Sequence, residues 1–324
     1  MLRYIIRRIL IAIPVLLVLS ITVFTILRFT TDPLRSIVNP RMTPADIQRV
    51  KAAMGLDKSG PAQYTSWLTH FVQGDWGISI RRRTEVRPVI LDRLGNTIRL
   101  MLLATLFSVV IAIAVGVYSA WRPYTALDYT FTGFSFFGIS MPIFWFGLML
   151  QLFLGLYLQR WLGWDQPLFF TGGMHRPGDP SFHLVDFLRH ATLPSIALGV
   201  QLVAGWGRYE RASMLEVMGA DYMRTARAKG MRERSVILKH GLRNALIPLV
   251  TVLGIDVGAL FGGLIITEGI FSWPGMGLLF VQSMLVGDYP IVLAWLMVTA
   301  TFIVVFNLVA DVVYAVLDPR IRYE

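Results

Sequence analysis

Apolar residues in this chain gather into long blocks separated by polar stretches. Six blocks approach or exceed 20 residues, over about 9–30, 97–120, 131–158, 189–211, 247–268 and 289–315. A helix needs about 20 apolar residues to cross a hydrocarbon core of about 30 Å. Inside lipid the backbone must satisfy its own hydrogen bonds, and a helix does so within one segment. The pattern therefore predicts an all-α polytopic membrane protein with six transmembrane helices. Pro14 in the first block and Gly138 and Pro142 in the third are places where such helices bend.

The cations orient these blocks. Arg3, Arg7 and Arg8 precede the first one and place the N-terminus inside. Six crossings return the C-terminus to the same side, in agreement with the basic tail Asp318-Pro319-Arg320-Ile321-Arg322. The short connection Trp121–Leu127 and the cationic 211–246 stretch then also fall inside. The first block is too long for a typical signal peptide and lacks a small-x-small cleavage site after it, so it reads as a retained helix. Residues 32–96 fall outside, although they contain Arg81-Arg82-Arg83. Loops longer than about 60 residues translocate largely regardless of charge. Within this loop Thr43-Pro44-Ala45-Asp46 is a helix start, with Thr as cap, Pro in the first turn and Asp at the positive end. That helix is expected to stop near Gly55, and Trp67, Phe71 and Trp76 are the expected anchors of a small outer subdomain. The divisions are 1–31 for the tail and first helix, 32–93 for the outer subdomain, 94–315 for the membrane core and 316–324 for the inner tail.

Composition sharpens the class. The chain is 55% hydrophobic and 15% charged, against about 25% charged in soluble domains. The net charge of +10 lies largely beside apolar blocks, where lipid headgroups and orientation account for it without nucleic acid. There is no cysteine, which excludes disulfides and thiolate chemistry. No G-x-x-x-x-G-K-[ST] loop is present, so the chain has no P-loop phosphate cradle. There is no H-E-x-x-H motif. His175, His183 and His190 share an outer loop at spacings that fit no zinc pattern, and neither His190 nor His240 sits at bundle depth to serve an intramembrane serine protease. No catalytic residue or metal ligand is assigned, and an enzyme is disfavoured.

The most basic block is Asp221–Val250, with seven Lys or Arg and one acid, Glu233, between Arg224 and Arg243. A basic segment between two crossings is either a loop obeying the positive-inside rule or a docking helix for a soluble partner. Four polar residues near the crossings, Arg208, Glu210, Arg211 and Asp311, are expected at the solvated interface. Asp256, inside the fifth block, is either on a transport pathway or in an interhelical hydrogen bond. Glu268 closes that block on the outer side. Gly254, Gly258 and Gly262 share one face, for tight helix packing or a sliding gate. Glu268–Gly277 reads as an outer element returning to the membrane. Phe271 and Trp273 would be its interfacial anchors, and with Pro274 they are candidates for docking a partner or shaping an outer gate. A plain turn is the alternative.

Several stretches, in order, resemble the permease subunits of ABC importers, in the dipeptide/oligopeptide branch. They are the start MLRYIIRRILIAIPVLL, Gly74-Asp75-Trp76-Gly77-Ile78-Ser79, Ile139-Ser140-Met141-Pro142, Arg224-Thr225-Ala226-Arg227-Ala228-Lys229-Gly230, His240 to Pro248, Glu268 to Gly277, and Leu317-Asp318-Pro319-Arg320. The general family loop carries Glu-Ala-Ala where this chain has Arg224-Thr225-Ala226. The resemblance is nearest to the first of two permease subunits. It implies a type I importer permease fold in the bacterial inner membrane. It also implies a homologous second permease, two P-loop ATPases that hold ATP and Mg (no cofactor on this chain), an extracytoplasmic substrate-binding lipoprotein, and peptide as substrate. Nickel, glutathione, haem or an oligosaccharide are alternative cargoes, and an ATPase-independent channel is the reading from another class. The coupling loop would be 212–246, with Arg224, Thr225, Ala226, Arg227, Lys229, Gly230, His240, Leu242 and Arg243 meeting the ATPase.

Overall fold

The computed structural model describes residues 2–30, 42–53, 56–176, 178 and 181–317. The tail 318–324, including the basic Asp318–Arg322 stretch, lies outside the described residues. The chain is helical, and an isolated bridge between Ile78 and Glu85 is its one β feature among the described residues.

Helix α1 (Leu2–Thr30) is followed in the outer loop by α2 (Pro44–Ala53) and α3 (Gly60–Val72). The α2 start is a capping box. Thr43 and Asp46 hydrogen-bond through side chains at 2.6 Å, the Thr43 N–H donates to Asp46 at 3.1 Å, and the Asp46 N–H donates back to Thr43 at 3.3 Å. An aromatic ladder ties α3 to the membrane core. Phe24 of α1 meets Trp67 at 5.7 Å, Trp67 meets Phe71 at 5.6 Å, and Phe71 stacks on Trp76 at 5.2 Å. The three predicted anchors thus join one another and α1.

The core begins with α4 (Val86–Trp121), which starts 11 residues before the predicted second block. The apolar count missed this outer part because Arg87, Asp92, Arg93 and Arg99 interrupt it. Its inward stripe, Val86 and Ile90 among others, packs on Ile291 and Ala294 and is fully buried. Next come α5 (Ala126–Ser140) and α6 (Ile143–Leu150), then a π-helical stretch Gln151–Tyr157 and α7 (Leu158–Leu162). The third predicted span, 131–158, is corrected here. Met141 is extended and Pro142 caps α6, because the residue before a proline is pushed out of the α region. The helix of membrane-crossing length and apolarity is Ile143–Leu162.

Helix α8 (Leu184–Met218) packs along most of α4. Glycines bring the backbones together. A Cβ on Gly199 would lie 2.9 Å from Ser108, and one on Gly116 would lie 2.9 Å from the Gly207 carbonyl. After α8 come the short helices α9 (Asp221–Ala228) and α10 (Glu233–Ser235), a π-helical turn Val236–Gly241, and α11 (Leu242–Ile270). The chain ends with α12 (Met276–Val286) and α13 (Tyr289–Leu317). Gly254 and Gly258 face α13: a Cβ on Gly254 would stand 2.3 Å from the Ala310 Cβ, and one on Gly258 3.2 Å from Asn307 Oδ1. Gly262 is helical in α11. Six helices of the described residues are long and apolar enough to cross a membrane.

Candidate functional site

Two places gather the residues singled out in the sequence: the segment between α8 and α11, and the junction between α11 and α12. The α8–α11 segment is a folded unit. Asp221 opens α9, where an acid favours the positive helix end. Met223 and Ala226 of α9 bury against Val236 of the π-helical turn and against Val217 and Met218 of α8. Ala226 therefore faces inward, which corrects its assignment to the ATPase contact: its methyl holds α9 down and is 7% exposed.

Gly230 ends the helix. Its φ is +73°, a left-handed conformation that costs a non-glycine residue about 1–2 kcal/mol. Its N–H closes on the Arg227 carbonyl at 2.9 Å. Across this turn the Arg227 guanidinium donates to both carboxylate oxygens of Glu233, at 3.0–3.3 Å. Arg227 thus fixes the turn itself. Beyond it, Gly241 lets the chain pass Met214, whose Cε would be 2.7 Å from an added Cβ. Ser213 of α8 donates to the Ala245 carbonyl at 2.9 Å, and Asn244 donates to the Tyr222 hydroxyl at 3.1 Å. Arg224, Thr225, Lys229, Gly230 and Arg243 are left exposed, with His240 and Leu242 half-buried.

A second tie joins this end of α8 to the inner connection. Arg211 donates to both oxygens of Asp128, at 2.7 and 2.9 Å, and the Tyr124 N–H donates to the same carboxylate at 2.9 Å. The Arg211 hydrogen bonds hold the Asp128 carboxyl below its ordinary range, against the opposing effect of burial. The solvated interface expected of four residues is corrected for Glu210, which is fully buried against Gly116. Arg211 is half-exposed in the pair with Asp128, and Asp311 forms an exposed pair with Arg8 of α1 at 3.1 Å. Arg208 is exposed and lies over the Phe136 ring at 5.5 Å.

Within the bundle, Asp256 accepts a hydrogen bond from the Trp206 indole at 2.8 Å. This supplies an interhelical partner between α8 and α11. At the outer junction Glu268 is fully buried. It accepts from Thr97 Oγ1 at 2.6 Å and from the N–H groups of Gly277 and Leu278 at 2.6 and 3.1 Å. Thr97 Oγ1 in turn accepts from the Met276 N–H at 2.7 Å. The carboxylate thus sits on the N-terminal turn of α12, whose free N–H groups favour negative charge, and it locks α12 to both α4 and α11.

Phe271 and Trp273 are 1% and 0% exposed, which corrects their reading as interfacial anchors and docking side chains. The Trp273 indole donates to the Asn96 carbonyl at 3.1 Å, and Phe187 packs on its ring. Both rings are core. Ser272 and Pro274 are what this turn leaves accessible. Thr97 and Asp128 escaped the sequence reading because each acts through a partner more than 80 residues away. No group of His, Cys, Asp and Glu among the described residues is arranged to hold a metal ion.

The arrangement is a glycine-packed helix bundle with a folded basic element between α8 and α11. The chain belongs to the binding-protein-dependent transport system inner membrane component family, whose description matches residues 112–323, and the companion N-terminal family of the same systems matches residues 1–101. It is 43% identical over 325 residues, the whole of both chains, to the oligopeptide transport system permease protein AppB of Bacillus subtilis. It is 36% identical, again over the whole of both chains, to the dipeptide transport system permease protein DppB of Escherichia coli K12. To the glutathione transport system permease protein GsiC of Escherichia coli O1:K1 it is 38% identical over all of both chains. Membership of this family makes it a multi-pass inner-membrane transport component.

Proposed function

We propose that this chain forms half of the translocation pore of an ATP-driven importer for di- or oligopeptides. A homologous second permease supplies the other half, two P-loop ATPases bind beneath and carry ATP and Mg, and an extracytoplasmic binding protein delivers the peptide. Both termini and the α9–α10 segment face the cytoplasm. The peptide reading is supported by relatives described as oligopeptide, dipeptide and glutathione permeases. These cargoes share a peptide backbone with free carboxylates, and glutathione itself is the second reading. Asp256 and Glu268 remain the candidate pathway or gate residues, with Gly258 and Gly262 on the helix that would move.

The observation that carries the coupling role is the construction of the α9–Gly230–α10 unit. It is packed onto α8 through buried methionines, clamped by Arg227 and Glu233, and continuous with α11. A force on its exposed face, Arg224, Thr225, Lys229 and Gly230, passes to two membrane helices without being absorbed in a flexible loop. ATPase closure would then rock the bundle between outward and inward access. Gly230→Asp puts a Cβ at a left-handed position and an acid on a basic face. Peptide uptake should fall to background while the chain stays in the membrane at wild-type level. Wild-type uptake by this variant would sink the lever.

A further inference from the structure

Arg208 carries a charge that nothing in the fold uses. It lies one turn before Arg211 on α8, yet the two guanidinium groups are far apart. Arg211 reaches Asp128, in the first turn of α5, whereas Arg208 lies over Phe136 at 5.5 Å from the ring centroid. Phe136 stands ~12 Å beyond Asp128 along α5, while the Arg208 backbone stands only ~4.5 Å beyond that of Arg211 along α8. The neighbouring Gly207 meets Phe131, a turn short of Phe136. The Arg208 side chain therefore runs towards the N-terminus of its own helix, the direction in which helical side chains lean, and away from the turn between α4 and α5. That turn marks one edge of the membrane. Tyr118 and Trp121 are each 37% exposed, and Arg122 lies over the Trp121 ring at 5.5 Å, the aromatic and cationic rim of an interface. The Arg208 guanidinium thus stands ~12 Å into a hydrocarbon core about 30 Å thick, close to its middle.

A charge at this depth faces lipid only at high cost, so it looks into a water-filled cavity or at a partner. Among the described residues no carboxylate lies within ion-pairing distance of Arg208. The face of α8 around it is open. Gly205, one turn away, would carry a Cβ into open space, with nothing within 4 Å. Another turn on, Gln201 donates to the Met141 carbonyl at 3.0 Å and so fills the break where α5 gives way to α6. Ser140 and Pro142 flank that break and are exposed. Non-helical backbone at membrane depth is tolerated where it is buried in protein or lines a water-filled cavity, not where it meets lipid. Interrupted helices of this kind border substrate sites in membrane carriers. An unspent cation and a broken helix thus share one exposed side of the bundle, and each excludes lipid there independently.

We propose that Arg208 lines the translocation path and receives the C-terminal carboxylate of the passing peptide, an inference that rests on the peptide-importer reading. The planar fork of a guanidinium matches a carboxylate with two parallel hydrogen bonds. The chain has no cysteine, so Arg208→Cys places a single thiol in it. The test reconstitutes the complete transporter in liposomes with its binding protein and follows dipeptide uptake, with the wild-type complex as the labelling background. The variant is treated with aminoethyl methanethiosulfonate, which returns a positive charge, or with sulfonatoethyl methanethiosulfonate, which adds a negative one. Arg208→Cys should lose about tenfold in uptake. The cationic reagent should restore it and the anionic one should not. The dipeptide should slow labelling of the introduced thiol, and its C-terminal amide should not. A thiol that neither reagent reaches would overturn the inference, since the face would then be covered by a partner subunit or by lipid. So would a loss of uptake that the cationic reagent leaves unrepaired, which marks a structural role, or equal protection by dipeptide and amide. A wild-type complex that takes up no peptide would instead overturn the importer reading.

Discussion

At the scale of single residues, the side chains that set this structure are polar groups inside it. Asp128 is the clearest case. Bonded by both arms of Arg211, it ties the Tyr124 turn to α8, and an amide in its place loses charge-assisted hydrogen bonds to a half-exposed guanidinium. Asp128→Asn should cost about 2 kcal/mol, read as a lower Tm of the purified transporter. Because Arg211 depresses the carboxyl below its ordinary value of 3.8, its contribution is complete above that pH. It is lost as pH falls through the lower folded-state value, and the variant should lack this acid-side loss.

Glu210 presents the opposite case. It is 0% exposed, and among the described residues neither of its oxygens has a hydrogen-bonding partner. A buried charge without a partner is costly, so Glu210→Gln should raise Tm; a fall would mean that the carboxylate is paired in the assembled transporter. These residues were not legible in the sequence. The span pattern sees average polarity along one segment, whereas the Arg211–Asp128 pair joins residues 83 apart. Phe271 and Trp273 misled for the same reason. Beside a Pro-Gly turn at a membrane edge they resemble anchors, and only the approach of Asn96 and Phe187 shows them to be core.

At the scale of elements, the long helices follow from their apolar blocks and five of the six spans are legible there, with ends that move by up to 11 residues. The exception is the third, where the proline at 142 breaks the predicted block rather than bending it. The basic segment was legible as a unit by charge and by Gly230, but its inward face was not, since Met223 and Ala226 look like ordinary helix formers until α8 is set beneath them. The glycine face of α11 was legible, but its partner, α13, was not, because small residues invite any neighbouring helix equally. The Gly254 backbone touches Ala310 so closely that Gly254→Ala must drive the helices apart. Such overpacking costs about 1–3 kcal/mol. The expected result is a lower Tm, restored in part by Ala310→Gly in the same chain; no rescue would show that the contact does not set the spacing.

At the scale of the whole molecule, the fold divides labour between its two ends. One end is fixed by buried polar latches: Glu268 on the start of α12, and Asp288 accepting from Ser79 and Ile80. The other end is a basic unit whose buried side sits on α8 and whose exposed side carries Arg224, Lys229 and Arg243. The most direct test is affinity purification of the tagged chain in mild detergent, with mass spectrometry of what accompanies it, for wild type and Gly230→Asp. A homologous second permease and P-loop ATPases should come with the wild type, and the ATPases should be depleted from the variant. A chain that purifies alone as a stable homo-oligomer would contradict the account.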